Sequence, residues 1–455
     1  MKFGGTSVQD AAAISRVADI VRSRVARKPV VVVSAMSKVT DALIAAATAA
    51  STGDRKNSSD IAQRLRERHL QAASTLLTSS DELQRTSCFL MREFDALEDL
   101  LRGISAVGEL TARTLDNVVS NGERMSSHMV AAAFRSRDLP SEHVDARRCV
   151  ITDDTYGKAI PDFAATEQAL KRQVSPWLQG DKVVVMGGFI GGTMDGVTTT
   201  LGRGGSDFTG AIVGASMGAK DIEIWTDVDG MMTTDPRLCP QARRIRSISF
   251  EEAAELAYFG AKVLHPATLL PAVQKNIPVW VLNSQNPSCE GTKIVARAPH
   301  TRNPFKAIAA KKSITIVDVV ATRMLMAHGF LESIFAVFAR HRCPVDMVST
   351  SEVSVSLTVD SNQAIPVIAA DLEKLADVKY EGRKAIVCMV GENIRGTRGI
   401  AAKVFGAIPD VDIRMISQGA SEINISFVIE ERDVATAVNA LHETFFTDVD
   451  PEVFA

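Results

Sequence analysis

The residues best suited to chemistry lie in TTTLGRGGSD (198–207), where Arg203 stands between Gly202 and the Gly204-Gly205 pair, followed by Ser206 and Asp207. A guanidinium is a planar fork matched to carboxylate or phosphate, and flanking glycines let backbone N–H groups approach the same anion. The small-residue run that follows, FTGAIVGASMGA (208–219), reads as a helix whose N-terminus favours negative charge. Capping of that helix by Ser206 or Asp207 is the plainer reading, but it leaves an arginine set inside three glycines without a purpose. A second constellation opens the chain: KFGGTSV (2–8) puts Lys2 just before Gly4-Gly5. Glu123, in SNGERMSSHM (120–129), falls in the first turn of an expected helix, as a dipole-complementing or a functional carboxylate. Beyond an apolar strand, WTDVDG (225–230) and TTDPR (233–237) supply Thr226, Asp227, Asp235 and Arg237, although Asp-Gly and Asp-Pro also mark turns. FGAKVLHP (259–266) adds Lys262, suited to phosphates, and His265, whose place before a proline suits a structural role.

What is absent narrows the chemistry. The chain has no G-x-x-x-x-G-K-[ST], no G-x-G-x-x-G and no G-x-S-x-G, and none of its eight histidines sits in a triad or metal pattern. A reaction that needs a general base therefore has no evident candidate. A nucleophile that is already ionised needs none, and a carboxylate with a pKa of about 4 is one. Attack of a carboxylate on the γ-phosphate of ATP requires positioning and charge neutralisation by Lys, Arg, amide N–H groups and Mg²⁺.

These residues must be held by an α/β frame. PVVVVSAMS (29–37), KVVVMGGFIGG (182–192), DIEIWTDVDG (221–230) and IPVWVLNS (277–284) read as buried strands. Helical patterns run from Ala11 to Arg24, Asp60 to Thr78, Asn121 to Arg135, Phe208 to Met217 and Phe250 to Phe259. Continuous apolar strands alternating with helices predict a mainly parallel sheet sandwiched by helices. Ligands then sit at the carboxyl ends of the strands, where Gly4-Gly5, Gly187-Gly188 and Gly191-Gly192 also fall. The polar stretch from Asp54 to Leu101 reads as a helical insertion.

Past the linker APHTRNP (298–304) the chain repeats itself. GFLESIF (329–335) resembles GIAAKVF (399–405), and SEVSVSLTV (351–359) resembles SEINISFVI (421–429). A spacing of 70 residues separates both Gly329 from Gly399 and Glu352 from Glu422. Each copy predicts a helix after a glycine and a strand of period two with one face open, a tandem α+β module that binds small ligands at its seam or serves as structure alone. Bulk properties agree with a multidomain globular chain of 455 residues: 46% hydrophobic, 23% charged, with a formal net charge of -3. No basic field is available for nucleic acid or an anionic membrane, and no apolar run is long enough to span one. Six scattered cysteines without C-x-x-C, and no signal-peptide pattern, predict reduced thiols and a cytoplasmic protein.

In order along the chain, KFGGTSV, VVVSAMS, GFIGG, TTTLGRGGSD, WTDVDG, TTDPR and FGAKVLHPATLLPA resemble aspartate kinases of the amino acid kinase superfamily, and the repeat resembles their pair of ACT modules. The resemblance implies a catalytic domain over 1–298 and a regulatory region over 305–455. Within the latter, ACT modules of ferredoxin-like fold, about 313–380 and 384–455, follow one another or interleave. It implies that Lys2, Arg203 and Asp207 are catalytic, Lys2 neutralising the phosphoryl group in flight and Asp207 ordering it. Arg203 would hold the α-carboxylate of L-aspartate and Glu123 its ammonium, with Ser34, Thr40 and Ser206 lining that side. Lys2, Gly4, Gly5, Thr226, Asp227, Met232, Arg237 and Lys262 would belong to ATP, whose Mg²⁺ is held mainly by phosphates, with no dedicated protein metal site. The product would be 4-phospho-L-aspartate, first step of lysine, threonine and methionine synthesis. Lysine is the implied effector, at Met324, Met326, Gly329, Phe330, Leu331, Val345, Asp346, Ser351 and Glu352; Asp346 and Glu352 would take its ammonium groups. A homodimer through the ACT modules, or a tetramer, is implied. Lys38 and Asp41 depart from the commoner Gly and Asn, Met326 from a His and Met232 from a Tyr of relatives. Relatives also carry an apolar strand before the lysine. Its absence here predicts that Lys2 is weakly anchored and activity low. The chain stops just after the second repeat, so no fused homoserine dehydrogenase or decarboxylase is expected. A kinase for another acid such as acetylglutamate, or an amino-acid sensor with an inactive kinase domain, are the rival readings; retention of Lys2, Glu123, Arg203 and Asp207 favours a catalyst.

Overall fold

The computed structural model describes residues 1–260, 266–320, 329–361 and 364–455. Lys262, Met324 and Met326 lie outside the described residues. The chain forms two compact units, Met1–Met231 with Val263–Ala296, and Met232–Lys262 with Arg297–Ala455.

The first unit opens with β1 (Lys2–Phe3), α1 (Ala11–Arg22), β2 (Val30–Val33), α2 (Val39–Ser51), α3 (Arg55–Leu76), α4 (Ser80–Val107) and α5 (Ala112–Arg135). Then come β3 (Ser141–His143), α6 (Phe163–Gln173), α7 (Ser175–Gln179), β4 (Val183–Gly187), β5 (Ile190–Gly192), β6 (Thr198–Thr200), α8 (Gly205–Ser216) and β7 (Ile222–Thr226). β8 (Ser247–Ser249) and α9 (Phe250–Tyr258) belong to the second unit, whereas α10 (Leu270–Gln274), β9 (Val279–Asn283) and β10 (Thr292–Val295) return to the first. The main-sheet strands of this unit lie in the order β3-β4-β2-β1-β7-β9-β10. All of these neighbours are parallel except β9 and β10. Period two sorts the valine runs between two cores. Val31, Val33, Val183 and Val185 face one with Ile14, Leu43 and Met129, while Val32, Val184 and Met186 face the other with Leu170 and Val213.

The polar stretch after Asp54 is helical as expected, forming α3 and α4, and its Leu65, Leu90, Phe94 and Leu97 complete the same core as α1, α2 and α5. One expectation changes here: Lys2 is not weakly anchored. β1 is central and registers Lys2 with Val32 on one side and Ile224 on the other. Phe3, fully buried, stacks on Trp225 with ring centroids 5.8 Å apart. Burying an aromatic ring of that size is worth about 3 kcal/mol, enough to fix a two-residue strand.

The second unit carries one antiparallel sheet in the order β12-β13-β11-β14-β16-β15. Its strands are β11 (Phe305–Val320), β12 (Met347–Thr350), β13 (Ser354–Asp360), β14 (Asp377–Gly391), β15 (Ile413–Gln418) and β16 (Asn424–Glu430). Its helices are α11 (Phe330–Arg340), α12 (Ile365–Leu372), α13 (Ile400–Gly406) and α14 (Val434–Phe446). The two long strands serve both copies of the repeat: of β11, the part Ile314–Val320 pairs with β13, and of β14, the part Lys384–Val390 pairs with β16. The open face expected of the period-two strands is missing in β16, which is buried from Asn424 to Ile429. Within this unit α9 packs on β11 and β14.

Candidate active site

Parallel strands put all their carboxyl ends at one edge. There β1, β2 and β7, with the first turn of α8, open on a cleft of about 800 Å³. Lys2 lines it from β1 with Gly4 and Gly5 just after it, Ser34 from the end of β2, Thr40 from the first turn of α2, and Glu123 from α5. Arg203, Ser206 and Asp207 line it from the start of α8, and Thr226 and Asp227 from the end of β7. Sequence-distant candidates for substrate and phosphate thus share one space. Met232 and Arg237 belong to the second unit, where Arg237 is exposed and paired with Asp235 at 2.7 Å.

The Lys2 ammonium lies 2.6 Å from the Asp207 carboxylate, both side chains largely buried. Neither Ser206 nor Asp207 caps α8. The cap position is Gly204, at φ 73°, and no side chain among the described residues bonds to it. That left-handed backbone disfavours any side chain. Gly205 N–H donates to Gly202 O at 3.0 Å, and the helix N-terminus that follows borders the cleft, where its dipole favours an anion.

Glu123 is not at a helix start. α5 begins at Ala112, capped by Thr111, so Glu123 sits mid-helix and only 3% exposed. The Ala35 N–H donates to Oε1 at 3.1 Å, while Oε2 finds no hydrogen-bond partner among the described residues. Burial pushes its pKa up to about 8, opposed by the Ala35 hydrogen bond. An isolated buried carboxyl with one idle oxygen is a receptor for a cation, and a ligand ammonium meets that description.

Two positioning residues escaped the sequence reading. Asp116, buried on α5, accepts from Gly157 N–H at 2.9 Å, Thr200 N–H at 3.0 Å and Thr200 Oγ at 2.7 Å. Thr200 directly precedes the LGRGG loop, so Asp116 sets where Arg203 starts. An aspartate on the apolar face of a helix was the available signal. Replacing it with alanine strands three donors; we expect a loss of about 2–3 kcal/mol in urea unfolding and a KM for the acid substrate raised about tenfold. Arg68 of α3 donates to Ser37 O at 2.8 Å and Gln9 O at 2.9 Å, joining the loops after β1 and β2. Lys38 also faces the cleft, in the left-handed region at φ 65°.

In the second unit, Gly329 is the cap position of α11, and Phe330 and Leu331 form its first turn. Phe330 and Val345 pack against one core, and Ser351 and Glu352 are exposed in the β12–β13 turn. Asp346 is already engaged: Lys311 Nζ donates to both its oxygens at 2.9 and 2.8 Å, and Tyr258 OH donates at 3.0 Å.

Comparison with known proteins adds the following. The amino acid kinase family pattern matches residues 1–283, and the ACT domain pattern matches 317–370 and 387–445. Lysine-sensitive aspartokinase 3 of Escherichia coli (strain K12) is 38% identical over 460 residues, 98% of this chain and 98% of its own. The crystal structure of E. coli aspartokinase III in complex with aspartate and ADP (R-state) matches with a TM-score of 0.84 at 36% identity, over 98% of this chain and 99% of that one. The complex of the same enzyme with lysine and aspartate (T-state) matches with a TM-score of 0.84 at 36% identity, over 98% of each.

Proposed function

The chain belongs to the amino acid kinase family and, within it, to the aspartokinases; on that premise we propose how its residues divide the work. The enzyme transfers the γ-phosphoryl group of ATP to the side-chain carboxylate of aspartate, giving 4-phospho-L-aspartate. That is the first step toward lysine, threonine and methionine. The carboxylate oxygen forms the new P–O bond as the bond to ADP breaks, and no proton has to move. The observation that carries our assignment is the complementarity of the cleft. It holds the Asp207-tethered ammonium of Lys2, the guanidinium of Arg203 and the idle oxygen of Glu123. Aspartate offers two carboxylates and one ammonium, and the phosphoryl group in flight offers further negative charge. Glu123 takes the ammonium, Arg203 the α-carboxylate, and Lys2 with the Gly4-Gly5 backbone the phosphoryl oxygens. Ser34, Thr40 and Ser206 flank aspartate, while Thr226 and Asp227 face the nucleotide. Mg²⁺ would arrive on the triphosphate, held mainly by the phosphate oxygens.

The test is hydroxamate trapping of the acyl phosphate with aspartate, glutamate and acetylglutamate. Turnover with aspartate alone is expected; preference for another acid overturns the assignment. Arg203→Ala is expected to raise the aspartate KM about 30-fold with the ATP KM changed less than about threefold. Equal effects on both would move Arg203 to the nucleotide.

We propose lysine as the feedback effector, with Asp346 and Glu352 receiving its ammonium groups. The name of the E. coli relative and its lysine-bound structure support this. Val348 of β12 and Ile416 of β15 pair with the equivalent residues Leu357 and Phe427, so the second copy has Arg414 where the first has Asp346. Inhibition by threonine alone would overturn it. Homodimerisation through the ACT sheet, whose edge strand β12 exposes Val348, and a cytoplasmic setting complete the proposal. No helix among the described residues is long and apolar enough to cross a membrane.

A further inference from the structure

In this structure the effector's carboxylate is occupied by the chain itself. The Asp346 side chain is only 4% exposed, and its oxygens are taken up by Lys311 Nζ and Tyr258 OH. Lys311 lies at the irregularity of β11, where register with β14 shifts between Lys311 and Ile314. From there its ammonium bridges two carboxylates of unlike setting: buried Asp346 at 2.8 Å and Asp360 at 2.9 Å, the latter 59% exposed at the end of β13. We infer that Lys311 is an internal competitor for the effector's ammonium, closing the site while it rests on Asp346 and opening it when it rests on Asp360 alone. This rests on the lysine-effector reading above and names its regulation.

Three points carry the inference. The group that Asp346 binds is a primary ammonium on a four-carbon stem, chemically the terminus of free lysine. Lys311 Nζ already takes both Asp346 oxygens, and a second ammonium on the same carboxylate would lie within about 5 Å of it and be repelled, so the arriving one competes with the resident one. The displaced cation has a carboxylate in place to receive it, because Asp360 already contacts Lys311. Tyr258 remains as a donor to Asp346 throughout, with its ring 5.7 Å from the Lys311 ammonium. Apparent affinity is then the intrinsic affinity reduced by the fraction of molecules in which Lys311 has left Asp346.

The two carboxylates give variants of opposite sign. Lys311→Met removes the competitor, and the lysine concentration for half-inhibition of the full-length enzyme should fall about fivefold or more. Asp360→Asn weakens the parking place, and that concentration should rise about threefold. Lys311→Arg keeps a cation that reaches both carboxylates and should stay near the parent. Basal turnover should be unchanged in all three, since neither position lines the catalytic cleft. Lys311→Met should also show the larger lysine-induced rise in Tm, which reads binding without activity. Parent-like or raised half-inhibition in Lys311→Met, or shifts of the same sign in Lys311→Met and Asp360→Asn, overturns the inference while the effector reading stands. A parent enzyme that lysine neither inhibits nor stabilises overturns both. Asp360 is exposed, so its variant folds and keeps the question decidable even if Lys311→Met does not.

Discussion

Lys2→Met lowers kcat for phosphoryl transfer to aspartate by about 10³-fold or more, with aspartate binding by calorimetry changed less than about threefold. A factor of 10³ is about 4 kcal/mol of barrier, within reach of one preorganised cation aimed at developing phosphoryl charge. Preorganisation is what the structure provides. The stem of Lys2 leaves a central strand and runs under α8, where a Cβ added to Gly210 would lie 3.1 Å from Lys2 Cβ. Its ammonium is fixed 2.6 Å from Asp207. Asp207→Asn should therefore cost less, about 30- to 100-fold, because it frees the ammonium without removing it. The double variant should be little worse than Lys2→Met alone, since both act through one group. Retention of a tenth of parent kcat by Lys2→Met would remove the cation from the mechanism.

How much of this was legible in the sequence depended on whether the signal was local. The valine runs gave the parallel sheet because burial on both faces demands continuous apolar sequence, and the glycine-flanked arginine marked its loop by composition alone. β1 was not legible as a strand. Two residues carry no periodicity, and its place is set by Phe3 on Trp225 and by neighbours 30 and 222 residues away. Glu123 was misplaced to a helix start because Asn121-Gly122 reads as a boundary. Gly122 instead sits inside α5 for close packing, since a Cβ there would lie 2.8 Å from Ala35 Cβ. Asp116 and Arg68 act through tertiary hydrogen bonds; the apolar helix face flags the aspartate, but no spacing encodes the partners of either. The repeat showed in its matching glycines and strands. The sharing of β11 and β14 did not, because alternation fixes faces and leaves pairing register open.

Glu123→Gln should weaken aspartate binding about 300-fold and, at alkaline pH, make the protein more stable. The two effects share one cause. In the unfolded chain this carboxyl titrates near 4.3, whereas in the fold burial pushes it up to about 8. Between those values the native state holds a proton that the unfolded state has released. Stability contributed by this group is therefore full below about pH 4, declines as pH rises and levels off above about pH 8. Glutamine is never charged and keeps an oxygen for the Ala35 N–H, so it removes the decline. We expect roughly 2–4 kcal/mol of added stability at pH 9 and little difference at pH 4, read by urea unfolding at both pH values. What glutamine cannot do is meet an ammonium with a charge. In the parent, aspartate supplies the cation that Oε2 lacks, so binding at pH 7 should ionise the carboxyl and release close to one proton per site. Calorimetry in buffers of different ionisation heat would show that release in the parent and its loss in Glu123→Gln. A variant that binds aspartate as tightly as the parent, or is less stable at pH 9, would show that the idle oxygen is a packing accident. A stable, poorly binding variant would show that the fold tolerates an unfavourable buried acid at this position because the substrate completes it.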